Sequence, residues 1–151
     1  MVSRYATGIT VVSTVVDGRR HGLTVNSFTS LSLEPLLAMF ACELDAALHS
    51  PLMGAGVWAV SVLAADQQPA AAYFATREQP GVEPDQFDGW PSRPGPVTGA
   101  PLLDGALAWL EFRTWATYDG GDHSIVVGEV VSMEVGADKA PLLYFRSDYR
   151  G

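Results

Sequence analysis

A spaced-glycine segment, three histidines, one cysteine and a ribbon of hydroxyl and amide side chains are the parts of this sequence that could do chemistry. Gly54-Ala55-Gly56-Val57-Trp58-Ala59 matches G-x-G-x-x-[GA], a spacing that lets a dinucleotide pyrophosphate approach a helix N-terminus, provided that a strand precedes it and a helix follows. Here the order is reversed: a short helical pattern ends at the glycines and a β-rich stretch begins, so they are read as a helix C-cap and turn. His21, His49 and His123 are far apart, no H-x-x-x-H or H-E-x-x-H spacing exists, and a single Cys42 builds no thiolate cluster, so no metal site is expected. Serines are frequent, yet no G-x-S-x-G elbow presents one as a nucleophile.

The segment Gly22-Leu23-Thr24-Val25-Asn26-Ser27-Phe28-Thr29-Ser30-Leu31-Ser32 is more informative, because polar and apolar side chains alternate along it. Alternation at period two puts the hydroxyls and the amide on one face of a strand. Two readings stand: a solvated edge strand, or a ribbon offering backbone N–H groups and short donors to a planar polar ligand. Asp122-His123 lies at a hairpin tip and also has two readings. It is an ordinary polar turn, or it carries an imidazole whose charge is adjustable near neutral pH and which positions a substrate or handles a proton.

These residues need elements to hold them. Residues 9–16 and 23–28 are β-rich and flank Asp17-Gly18, as in a hairpin. Leu36 to Cys42 is a continuous apolar run, expected as a central strand buried on both faces. Ala46 to Met53, ending at Gly54, reads as a short helix, and residues 57–63 as the next strand. Asp66 is expected to cap a second helix that holds Pro69 in its first turn. Arg77 to Pro101 holds six of the ten prolines and reads as a long surface loop, either functional or disordered. Strands are expected over 106–118, 123–135 and 142–145, with Asp119-Gly120-Gly121-Asp122 as a tight connection. Strands outnumber helices, with turns at hairpin spacing, so the expected fold is mostly β: one domain over 1–151, an antiparallel barrel with a few short helices.

Composition narrows function further. Nine basic against seventeen acidic residues give a net charge of −8, the wrong sign for nucleic acid. No apolar run approaches the ~20 residues that cross a bilayer, and the first residues lack a signal-peptide core. With one cysteine and no disulfide, a cytoplasmic location is expected. Hydrophobic residues make up 48% and charged residues 17%, more apolar surface than a small monomer hides, so a homo-oligomer is expected.

Five ordered blocks then carry a resemblance that spans nearly the whole chain: residues 4–12 (Arg-Tyr-Ala-Thr-Gly-Ile-Thr-Val-Val), 21–35 from His21 to Pro35, 60–64, 106–110, and 121–130 from Gly121-Asp122-His123. Together they resemble the flavin reductase-like family of FMN-binding split barrels, which includes the reductase components of two-component flavin monooxygenases. The resemblance implies a homodimeric, antiparallel split β-barrel and an NAD(P)H:flavin oxidoreductase. It would bind FMN or FAD, take hydride from NADH or NADPH to flavin N5, and supply a partner monooxygenase. It implies that Thr24, Val25, Asn26 and Ser27 line the isoalloxazine edge with Ser32 nearby, and that Cys42 and the following turn face the ribityl phosphate. His123 lies at the nicotinamide side, with Tyr149 and Arg150 near the same cleft. Where many relatives have serines suited to a phosphate, this chain has Glu43-Leu44-Asp45, whose carboxylates repel one, so the phosphate is assigned to a helix N-terminus with His49 and Ser50. Two rival readings are kept: a split-barrel oxidase acting directly on a small substrate, and a non-catalytic binding protein.

Overall fold

The computed structural model describes residues 2–75 and 85–151. Strand β1 (Thr7–Gly8) precedes the hairpin of β2 (Thr10–Val16) and β3 (Arg19–Val25). That hairpin pairs Thr10 with Val25 at one end and Val16 with Arg19 at the other. Asp17 and Gly18 close it with φ of 52° and 76°, the left-handed pair that a two-residue hairpin turn needs and that Asp-Gly adopts readily. Then follow β4 (Thr29–Leu33), β5 (Leu36–Glu43), α1 (His49–Ala55), β6 (Val57–Val62), α2 (Gln68–Phe74), β7 (Ser92–Pro94) and β8 (Pro101–Leu103). The chain ends with β9 (Ala108–Asp119), β10 (His123–Val135), β11 (Leu143–Phe145) and β12 (Asp148–Arg150).

Seven strands form one antiparallel sheet in the order β3-β2-β6-β9-β10-β5-β4. Its two edges, β3 and β4, are consecutive in the chain and are joined only by Asn26, Ser27 and Phe28. Three residues span at most about 10 Å, so the sheet must curl until its edges meet at that link. No ladder closes it. Instead the Ser27 hydroxyl accepts from Ala41 N–H of β5 at 3.0 Å and donates to the Ala41 carbonyl at 3.3 Å. The result is the expected mostly-β, split-barrel architecture, open along one seam.

Alternation fills the interior. Val12, Leu23, Val25, Phe40, Val60, Phe112 and Val126 are all buried there around Trp58. Trp58 stacks on Phe112 at 4.2 Å and meets Phe40 edge-on at 5.0 Å, geometries that add to simple area burial. A second cluster lies outside the barrel, where Ala71 and Phe74 of α2 pack with Phe87, Ile9, Leu63 and Leu142.

Several elements differ from the sequence reading. β5 has neighbours on both sides but is one strand from the edge rather than central. Helix α1 starts at His49, not Ala46; a start at Ala46 would put Pro51 in the helix interior, where it blocks a backbone hydrogen bond. The cap is Gly56, with φ 71°, while Gly54 lies within the helix. Asp66 does not cap α2: it sits in a single 3₁₀ turn, its carboxylate 2.9 Å from Lys139 Nζ, and Gln67 Oε1 accepts from Ala64 N–H. Of the Pro-rich stretch, residues 77–84 lie outside the described residues. Residues 85–101 include buried Phe87 and β7, which pairs with β8. The C-terminus adds β12, paired with β11 through a turn at Arg146 and Ser147, and β11 pairs with β1.

Candidate functional site

The seam between the sheet edges positions most of the polar ribbon. On β3, Leu23 and Val25 face the core, which turns Thr24 to the opposite face, where its hydroxyl donates to the Ala71 carbonyl of α2 at 2.7 Å. Asn26 is exposed and, like Ser27, lies beyond the last β2–β3 pair. Two clefts flank this point and share Ile9 and Asn26. The larger, about 570 Å³, runs from Tyr5 to Thr10 and along Val25, Asn26, Ser27, Phe28 and Thr29. The smaller, about 200 Å³, is formed by Thr24, Asn26, Glu43, Tyr144 and Tyr149 with Ile9 and Ala75. Among the described residues lining either cleft, Glu43 is the one charged side chain.

The larger cleft fits a planar heterocycle with a polar edge. Its size lies within the range of small-molecule sites, roughly 300–1,000 Å³. Gly8, on its wall, has open space where a Cβ would stand. Among the described residues the buried Thr7 hydroxyl, on the same wall, has no hydrogen-bond partner.

His123 and Glu43 form the terminal pair of the β10–β5 ladder, which brings the hairpin tip to the smaller cleft. The tip is shaped by Gly121 at φ 80° and by Gly120 N–H, which donates to the His123 carbonyl at 2.9 Å. Leu44 N–H donates to the Asp122 carbonyl at 3.0 Å and ties the tip to the end of β5. His123 Nδ1 lies 2.7 Å from Asp122 Oδ1. A carboxylate only accepts, so Nδ1 is the donor and Nε2 is left for a ligand. Tyr149 stands opposite Tyr144 on the β11–β12 pair, their rings 5.4 Å apart. Burial, and then Tyr144, push the Tyr149 phenol above its ordinary range, so it stays a hydrogen-bond donor at neutral pH. Arg150 lies 3.9 Å from Asp148 and over the Phe145 ring.

The structure does not gather every residue singled out from sequence. Ser32 pairs with Leu37, four positions along β5 from the Ala41 that Ser27 touches, a separation of roughly 13 Å. Cys42 is wholly buried in the barrel core, and burial, reinforced by Glu43, raises its thiol to about 12. Its side chain reaches neither cleft. The cause is phase: Phe40 and Cys42 point inward, so Ala41 and Glu43 point out. His49 Nε2 lies 2.8 Å from Ser124 Oγ. Ser124 pairs with Cys42 while His123 pairs with Glu43, so His49 meets β10 from the face opposite His123. Ser50 lines a separate cleft of about 510 Å³ with Arg19 and His21 near the β2–β3 turn. Thus Thr24, Val25, Asn26, Ser27 and Tyr149 line the clefts at the seam, His123 lies beside them through its ladder pair with Glu43 without lining either cleft, and Ser32, Cys42, His49 and Ser50 lie elsewhere. Residues that the sequence reading did not assign to the site are Thr7, Gly8, Glu43 and Tyr144. The only local signal for the first two was small residues just ahead of a β-rich run.

Comparison with known proteins gives a consistent picture. Residues 2–151 match the family model described as flavin reductase like domain. An NADH-dependent FAD reductase from Streptomyces globisporus is 46% identical over 129 residues, covering 85% of this chain and 69% of that protein. The reductase component of a 4-hydroxyphenylacetate 3-monooxygenase from Thermus thermophilus is 39% identical over 149 residues, covering 99% and 91%. Among solved structures, the Streptomyces globisporus C-1027 NADH:FAD oxidoreductase SgcE6, in complex with NAD and FAD fragments, superposes with a TM-score of 0.91 at 37% identity, covering 99% and 87%.

Proposed function

Given that the chain belongs to the flavin reductase-like family, we propose that it reduces FMN or FAD with NADH and passes the reduced flavin to a partner monooxygenase. The observation that carries this reading is the seam: two adjoining clefts meet at Asn26 where the ladder of the sheet stops. Bound flavin supplies the electron chemistry, accepting hydride from reduced nicotinamide; the protein supplies placement.

Asn26 and the backbone at Asn26 and Ser27 hold the polar edge of the ring, and Val25 supplies apolar backing. Hydride transfer needs two rings held at van der Waals distance, and holding them there is the main rate contribution open to the protein. His123 performs this on the nicotinamide side, Nε2 meeting the carboxamide while Asp122 fixes the imidazole. Tyr149 and Tyr144 wall the smaller cleft.

Among the described residues neither cleft is lined by Lys or Arg, which supports loose, reversible flavin binding, as suits a carrier of reduced flavin. The face bearing Leu31, Leu33, Trp115 and Tyr118, all more than half exposed, pairs with a second copy to make a homodimer. A buried lone thiol suits work in the cytoplasm.

The test is a titration of the protein with FMN and with FAD by flavin fluorescence, followed by NADH oxidation in the presence of free flavin. Saturable micromolar quenching and flavin-dependent NADH oxidation are expected. No quenching at saturating protein overturns the reading, and bleaching of bound flavin by a small organic substrate without NADH favours the oxidase instead.

A further inference from the structure

We infer that the corner where the 3₁₀ turn Val2–Arg4 meets the β11–β12 turn is an anion site that takes the diphosphate of a bound nucleotide, through Arg146 and Arg150 with Arg4 beside them. The inference rests on the flavin reading above. The chain carries a net charge of −8, yet this corner gathers three of its nine basic residues. Arg146 N–H donates to the Ser3 carbonyl at 2.6 Å and ties the two turns together. From there the segments run on side by side, Thr7 pairing with Tyr144. Tyr5 to Thr7 line the larger cleft, and Tyr144 and Tyr149 the smaller, so the arginines stand on a rim that both clefts share.

The guanidinium groups of Arg146 and Arg150 both lie over the Phe145 ring, at 5.3 and 5.7 Å from its centre. Arg150 Nε is 3.9 Å from the Asp148 carboxylate, long for a charge-assisted hydrogen bond. Among the described residues Arg4 and Arg146 have no carboxylate partner. Cations sharing one ring repel each other; the ring face offsets part of that cost, and an anion between them removes the rest. Guanidinium groups match phosphate oxygens with paired N–H donors, which makes a phosphate the fitting anion. In NADH and in FAD the diphosphate lies one sugar-sized link from the reacting ring. Arg146 is two positions beyond Tyr144 of the smaller cleft, roughly 7 Å along the strand. The turn is also held in place, because Arg146 and Ser147 keep left-handed conformations at φ 53° and 60° while Ser3 fixes the Arg146 N–H.

The experiment compares the wild type with Arg146→Gln, Arg150→Gln, the double variant and a charge control. Gln keeps much of the stem and drops the charge. Arg113→Gln is the control: Arg113 is an exposed cation paired with Glu129 at 2.8 Å, opposite Val57 and about 17 Å along β6 from Val62 of the larger cleft. The first readout is calorimetric binding of ADP-ribose, which carries the diphosphate without either reacting ring. Its dissociation constant should rise about threefold in each single variant and about tenfold in the double, the worth of exposed charge pairs. Arg113→Gln should leave it unchanged. Salt needs no variant: between 50 and 500 mM the wild-type constant should rise, whereas screening the repulsion from an acidic protein would make it fall. Kinetics then locate the diphosphate. A tenfold rise in KM for NADH in the double variant, with 1-benzyl-1,4-dihydronicotinamide unaffected, places it on the hydride donor; weaker binding of FAD with riboflavin unaffected places it on the flavin. No binding of ADP-ribose by the wild type, a constant unmoved in the double variant, or equal losses with the phosphate-free analogues overturns the anion site and leaves the flavin reading standing. Failure of every protein to bind flavin removes both.

Discussion

Ser27 tests whether the seam is what holds the ligand. Its hydroxyl is the link between the β3–β4 corner and β5, accepting from Ala41 N–H at 3.0 Å and donating to Ala41 O at 3.3 Å. Ser27→Ala removes both bonds, but at an exposed edge water replaces them. The cost therefore sits near the middle of the net hydrogen-bond range, about 1 kcal/mol rather than the larger penalty of a buried orphan. For a chain of this length that lowers Tm by roughly 2–4 °C. If flavin binds only when the corner is pinned, the same 1 kcal/mol reduces the competent fraction and raises the flavin Kd by up to about fivefold. Ser27→Thr keeps the hydroxyl and should restore both quantities. Thermal melting and fluorescence titration, read together, decide the matter. A lowered Tm with an unchanged Kd would mean that the corner is structural and uncoupled from the ligand, refuting the placement argued above. No change in either would mean that the two bonds hold nothing.

Two further outcomes follow from the same geometry. His123→Ala removes the nitrogen proposed to hold the carboxamide and should raise KM for NADH about three- to tenfold, the worth of one hydrogen bond, with KM for flavin changed less than twofold; equal effects on the two would take His123 out of the nicotinamide side. Cys42 is buried and its thiol is raised to about 12, so a thiol reagent at pH 8 should label none of the native protein and one thiol per chain after denaturation. A folded-state value above the unfolded one means that the stabilisation of the neutral thiol is complete below the ordinary thiol range and is lost as pH climbs toward 12. Labelling of native protein within minutes would contradict the burial.

Local rules made much of this legible. Asp17-Gly18 located a hairpin turn, and the glycine pair before Asp122 fixed both the start of β10 at His123 and its antiparallel return. The order of elements around Gly54 and Gly56 dismissed a dinucleotide fingerprint, and the structure places Gly56 at a helix end. What stayed hidden was phase. Period-two alternation says that Cys42 and Glu43 face opposite ways, but not which faces out; that is settled by Phe40 and Trp58 packing inside the curl. His49 and Ser50 were hidden likewise: His49 meets Ser124 on the inward face of β10, and Ser50 lines a separate cleft near the β2–β3 turn. The β11–β12 turn escaped notice because Arg146 and Ser147 take left-handed conformations without a glycine to announce them.

Topology explains why the legible ribbon is also the site. In an open sheet whose two edges are distant in sequence, unpaired edge groups are covered by a helix or loop. Here the edges are neighbours in the chain, so three residues must turn from one to the other, and no strand can be inserted between them to complete the ladder. The polar backbone at the turn must still find partners. Ser27 satisfies part of that need at Ala41, and the rest faces the two clefts. A flat ligand with a polar edge meets that requirement, while an interior of stacked aromatics holds the surrounding strands still.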